Sequence, residues 1–187
     1  MTALFAATKV WWYLSRASGF TTYVLLVISA VLGIALATRA LGKNVTAPWL
    51  LSLHRFASGF AFIFLAVHMF ALLGDKYIQF TVADLLVPGS SSWRTNAMTI
   101  GIISMYLLVL IELSSLLRSR LNKRLWRMIH FLSYAVLAGA TAHAVMAGTD
   151  AKGIAAILLF LFSGGLLLFF LSYRWIGPGR VASVKDS

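Results

Sequence analysis

Four histidines occur in the chain, and all four lie inside two long apolar segments. They come in pairs, His54 with His68 and His130 with His143, spaced 14 and 13 residues apart. An imidazole placed in hydrocarbon is costly and marks function. In its neutral form it is a common ligand for metals, iron included. Two pairs on separate helices supply four axial ligands, the pattern of a membrane cytochrome with two stacked haems. The competing reading is four interhelical hydrogen-bonding histidines; against it stands the fact that no histidine falls in a loop. The chain has no cysteine, which removes disulfides, thiolate-held clusters and the covalent attachment of a c-type haem. The haems implied are therefore two non-covalent haem b groups.

The elements that must position these residues are membrane helices. A hydrophobic content of 60% with only 11% charged residues in 187 fits an all-α, polytopic membrane helical bundle. Five stretches reach the roughly 20 helical residues that a hydrocarbon core requires, near 19 to 38, 48 to 73, 96 to 117, 125 to 147 and 153 to 173. Residues 1–18 read as an interfacial lead-in, since Lys9 to Arg16 with Trp11, Trp12 and Tyr13 mixes basic and aromatic groups. Residues 19–173 form the transmembrane domain and 174–187 a short cytoplasmic tail. The exterior link from Gly74 to Thr95 is the longest, with a short surface helix predicted around Val82 to Val87.

The net charge of +11 reads as topology and not as nucleic-acid binding. The link between spans three and four carries Arg118, Arg120, Lys123, Arg124 and Arg127 with no acid, which places it in the cytoplasm. Five spans then put the N-terminus outside and the C-terminus inside, in what reads as a bacterial cytoplasmic membrane. Arg39, Lys43, Arg174, Arg180 and Lys185 fall inside as well, against Lys9, Arg16, Lys76, Arg94 and Lys152 outside. The Ala35-Leu36-Ala37 run resembles a signal cleavage site, but an inside N-terminus would push the densest basic cluster outward, so the first span stays in the mature protein.

With this topology spans two and four run in the same direction. His54 then pairs with His130 at the inner side and His68 with His143 at the outer, about 20 Å apart along the helix. Fourteen residues return to within about 40° of the starting face, whereas thirteen leave side chains about 140° apart. Helix tilt, a different approach side or a bulge near Gly139 is needed to bring His143 round.

Ala57, Ser58, Gly59, Ala61, Ala135, Ala138, Gly139 and Ala140 provide small surfaces for porphyrins or for helix packing. Phe60, Phe64, Phe131 and Tyr134 fill space between. Met69 and Met146 are near the histidines but are not needed as ligands. Propionates need cations, for which Arg55, Arg124 and Arg127 are the inner candidates and Arg94 and Lys76 the outer. Glu112, the one carboxylate within a span, is expected to pair with a cation such as Arg118 or snorkel, with a proton or quinone contact as the functional alternative. The Gly177 to Ala182 run fits G-x-G-x-x-A, but no strand precedes it, so no flavin or nicotinamide site is expected.

Three tracts carry a family likeness. They are Trp12-Tyr13-Leu14-Ser15-Arg16-Ala17-Ser18-Gly19, then Leu53-His54-Arg55 with His68, and Leu121 to His130 leading to Tyr134 and His143. In these the chain resembles the ferric reductase-like transmembrane domain family over roughly residues 11 to 149. That family includes NADPH oxidases, ferric reductases and the haem-b subunit of periplasmic methionine sulfoxide reductase. The resemblance implies the ligand set His54, His68, His130 and His143, the 13-residue pair included, and electron flow from the cytoplasmic face outward. Many relatives continue into a flavin and nicotinamide module. This chain is instead expected to take electrons from a separate cytoplasmic flavoprotein or from quinol. It would pass them to a ferric complex, oxygen or an extracytoplasmic redox protein. A haem-free membrane scaffold or transporter-like subunit is the alternative.

Overall fold

A computed structural model of the chain describes residues 2–38 and 46–176, and within them it is helical, without strands. The elements are α1 (Thr2–Thr38), α2 (Ala47–Gly74), α3 (Val82–Leu86), α4 (Thr95–Leu116), α5 (Lys123–Phe131), α6 (Ser133–Ala147) and α7 (Ile154–Ile176). Four segments are long and apolar enough to cross a membrane: Lys9–Thr38, Ala47–Gly74, Thr95–Leu116 and Lys123–Ala147. The fifth expected span corresponds to α7, whose apolar stretch runs over Ile154–Leu166. The protein is thus an all-helical bundle of membrane-spanning type.

Its polarity is that of a lipid-bathed bundle. Phe62, Ile63, Phe70, Leu113, Leu158, Leu161 and Phe162 face outward, while Ser15, Ser18, Ser29, Ser104, Ser114 and Ser163 are buried. Small hydroxyl residues let helices approach closely and find hydrogen-bond partners where no water is present. Most of these hydroxyls bond a carbonyl of the preceding turn, as Ser18 does to Leu14 at 2.6 Å and Ser104 to Ile100 at 2.8 Å. A buried knot ties three helices together: the Tyr23 hydroxyl of α1 lies 3.1 Å from Thr141 Oγ1 of α6 and 2.8 Å from Ser163 Oγ of α7.

Helix α1 is continuous, so the basic and aromatic tract that reads as an interfacial lead-in belongs to the same helix as the first span. It packs antiparallel on α2 along most of its length, while α4 packs on α6. Helices α2 and α6, which carry three of the histidines, pack chiefly on α1 and α4 respectively. The predicted surface helix is α3, opened by a reciprocal capping box in which Thr81 Oγ1 accepts from the Asp84 amide and the Asp84 carboxylate accepts from the Thr81 amide.

The fourth span is not one helix. It breaks at Leu132, whose amide bonds the Ile129 carbonyl in a tightened turn, and α6 restarts at Ser133. The irregularity is therefore at Leu132 and not near Gly139. Gly139 instead lets α6 press against α4, where a side chain would run into Ser104 Oγ. The straight-helix phase argument does not apply across such a break. Arg39, Lys43, Arg180, Lys185 and the Gly177 to Ala182 run lie outside the described residues.

Candidate functional site

The histidines stand in two groups, one at each end of the bundle. His54 of α2 and His130 of α5 have ring centroids 6.0 Å apart with planes at 72°. Two imidazoles bound on opposite sides of one metal, with metal–nitrogen bonds of about 2.0–2.1 Å, would have centroids about 6 Å apart. His68 of α2 and His143 of α6 line a common cleft of about 250 Å³ at the other end, walled by α1, α2, α4 and α6.

Three of the rings are fixed in the same way. Nδ1 of His54 lies 2.9 Å from the Ser29 carbonyl, Nδ1 of His68 2.6 Å from that of Ser15, and Nδ1 of His143 2.8 Å from that of Ala97. A carbonyl oxygen only accepts, so where Nδ1 bonds a carbonyl it carries the proton and donates it; at His54 the Ser29 hydroxyl also lies 3.1 Å from Nδ1. Nε2 is then left with its lone pair, the form in which a histidine ligates a metal. Donation to a carbonyl also orients the ring and strengthens its nitrogen as a donor.

A helix carbonyl is already bonded within its own helix, and the side chain four residues later lies over it. At all three acceptors that residue is glycine. Gly33 follows Ser29, Gly19 follows Ser15 and Gly101 follows Ala97, each by four positions. A Cβ at Gly101 would sit 2.6 Å from His143 Nδ1, one at Gly19 3.1 Å from His68 Nδ1, and one at Gly33 3.3 Å from His54 Cε1. Each glycine is a window through which an imidazole reaches a carbonyl. On α1 the Ser-x-x-x-Gly windows recur after 14 residues, the same interval as His54 to His68 on the antiparallel α2. That match is a signal in the sequence which reading the histidines alone misses.

His130 is the exception. Its Nδ1 is buried without a hydrogen-bond partner, as is Nε1 of Trp126. The His130 ring stacks on Trp126 at 4.9 Å and 23°, and Arg118 covers Trp126 with its guanidinium 4.5 Å from the ring centre.

Arg55, Arg124 and Arg127 are exposed, and the basic group associated with His130 is Arg118, through Trp126. At the outer cleft the lining cation is Arg16, next to the Ser15 acceptor. Arg16 is largely buried, stacks 4.3 Å over Trp12 and forms an ion pair with Asp150 in the link between α6 and α7. Arg94 does not line the cleft. It donates to the Met146 carbonyl at 2.5 Å and stacks on Trp93. Met69 lines the cleft beside Leu72, Ile78 and Trp93, whereas Met146 is exposed. Glu112 faces Ser58 and His54 across the α2–α4 contact, and among the described residues it forms no ion pair with Arg118.

Among the described residues no group of three or more His, Asp or Glu converges as a metal-ion site. No curated protein and no solved structure matches the chain. Residues 10–150, which contain all four histidines and all three glycine windows, match the family described as Domain of unknown function (DUF8596), and the chain belongs to that family.

Proposed function

We propose that the protein is a membrane electron conduit holding two haem b groups, one between His54 and His130 and one between His68 and His143. One observation carries this reading. Three of the four imidazoles give their Nδ1 proton to a main-chain carbonyl exposed by a glycine, which leaves Nε2 free as a ligand. Histidines that served only to join helices would need no such uniform tautomer.

Bound haem supplies one-electron chemistry, and the chain supplies ligands, orientation and charge. His54 and His68, both on α2, fix the two sites about 20 Å apart along the bundle. Arg16 would neutralise a carboxylate at the outer site, and Arg118 would do so at the inner. Apolar walls of Leu65, Leu72, Met105 and Phe160 exclude water from the outer cleft. The basic α4–α5 link lies in the cytoplasm under this reading, with the N-terminus outside. The donor is a cytoplasmic flavoprotein or quinol, and the acceptor is an exterior ferric complex, oxygen or an extracytoplasmic redox protein. An electron moving outward across a negative-inside membrane gains up to about 2.3 kcal/mol per 100 mV.

Purified full-length protein tests the reading. Dithionite-reduced spectra should show low-spin b-type bands at two haems per chain. His68→Ala and His143→Ala should each diminish the same haem, and His54→Ala the other. A colourless preparation from cells supplied with iron and porphyrin precursor overturns the proposal and leaves the haem-free scaffold.

A further inference from the structure

We infer that His130 is an exchangeable ligand, so that the inner pair is a site which opens to a small neutral ligand while the outer pair stays closed. This rests on the haem reading above. Two independent observations carry it.

The first is the missing partner. His54, His68 and His143 each commit Nδ1 to a carbonyl at 2.6 to 2.9 Å, while Nδ1 of His130 is buried and bonded to nothing. Loss of such a partner weakens metal affinity by about 10–100-fold in metal–histidine sites generally. The second is the element that carries the ring. His54 sits two turns inside α2, a 28-residue helix that packs on α1. His130 sits in the last turn of α5, a nine-residue helix with no buried residue, separated from α6 by the break at Leu132. The ring stacks on Trp126, which the exposed Arg118 covers in turn. Helix α5 is thus held to its neighbours far less extensively than α2 is held to α1, and the turn at Leu132 separates it from α6.

The exchange breaks one bond from the His130 nitrogen to the metal and forms one bond from the incoming ligand. No electron moves and His54 remains attached. The ligand class is a small uncharged molecule able to displace a neutral imidazole. Carbon monoxide added to the reduced protein is the probe. It should bind one of the two haems in the wild type. His130→Ala should keep that amplitude, bind faster because nothing has to be displaced, and show a high-spin signal in the oxidised state. His54→Ala should lose the amplitude together with the inner haem. Two haems per chain with no carbon monoxide binding overturns this inference and leaves the conduit intact, as does an amplitude that survives His54→Ala. Absence of haem takes down both.

Discussion

Nδ1 of His143 meets the carbonyl of Ala97 at 2.8 Å because Gly101, four residues on, has no side chain to cover it. The same construction serves His68 and His54, and the clearances differ among the three. A Cβ would lie 2.6 Å from the nearest ring atom at Gly101, 3.1 Å at Gly19 and 3.3 Å at Gly33. Substitution by alanine should therefore reduce haem retention in the order Gly101, Gly19, Gly33. Gly101→Ala should cost about 10–100-fold in affinity at the outer site if the hydrogen bond is lost. Gly59→Ala and Gly164→Ala, where a Cβ meets nothing within 4 Å, are the controls and should retain both haems. Haem content after dialysis against apomyoglobin reads the order, and equal retention in all five variants contradicts it.

Much of this arrangement was legible in the residues. Long apolar runs announced the spans, the link composition announced a short surface helix around Val82 to Val87, and histidines at 14 and 13 announced two pairs. Helix phase failed for the second pair because phase assumes one straight helix, and the break at Leu132 has no proline or glycine to signal it. Arg16 was not legible as a cleft residue: it reaches the His68–His143 cleft because α1 continues without interruption through the tract that resembles an interfacial lead-in.

If a haem sits between His68 and His143 as proposed, charge at that cleft should act in opposite directions on its redox potential. Arg16 lines the cleft and Asp150 neutralises it from the α6–α7 link. A nearby positive charge favours the reduced form, so Arg16→Gln should lower the potential of the outer centre and Asp150→Asn should raise it. Asp150 is well exposed, with a side-chain exposure of 59%, so its loss should change stability by no more than about 1 kcal/mol. Spectroelectrochemical titration separates the two signs. Shifts in the same direction would show that Arg16 acts by packing on Trp12 and not by its charge.

The capping box of α3 should respond to acid. Hydrogen bonds from Thr81 hold the Asp84 carboxyl below the usual carboxylate range. A depressed folded-state pKa contributes stability above the unfolded value of 3.8, and that contribution is lost as pH falls through the folded value. Amide exchange over Val82 to Val87, corrected for intrinsic rates, should therefore accelerate only below about pH 4. In Asp84→Asn the acid-dependent step should vanish. A wild-type acceleration centred near neutral pH would assign the loosening to some other group.

The Tyr23 knot joins α1, α6 and α7 in the bundle interior, yet it should be worth little. Thr141 and Ser163 keep main-chain acceptors of their own, the carbonyls of Leu137 at 2.8 Å and Phe160 at 3.1 Å. Tyr23→Phe thus removes one hydroxyl without stranding its two partners, and the cost should stay near a single neutral hydrogen bond, about 0.5–1.5 kcal/mol. Tyr23→Ala also empties space shared with Leu137, Val27 and Phe160, where loss of a large buried aromatic costs about 3–5 kcal/mol. Unfolding in mixed micelles should show the second loss several-fold larger than the first. Near-equal losses would mean that the knot, and not aromatic packing, holds α7 against α1.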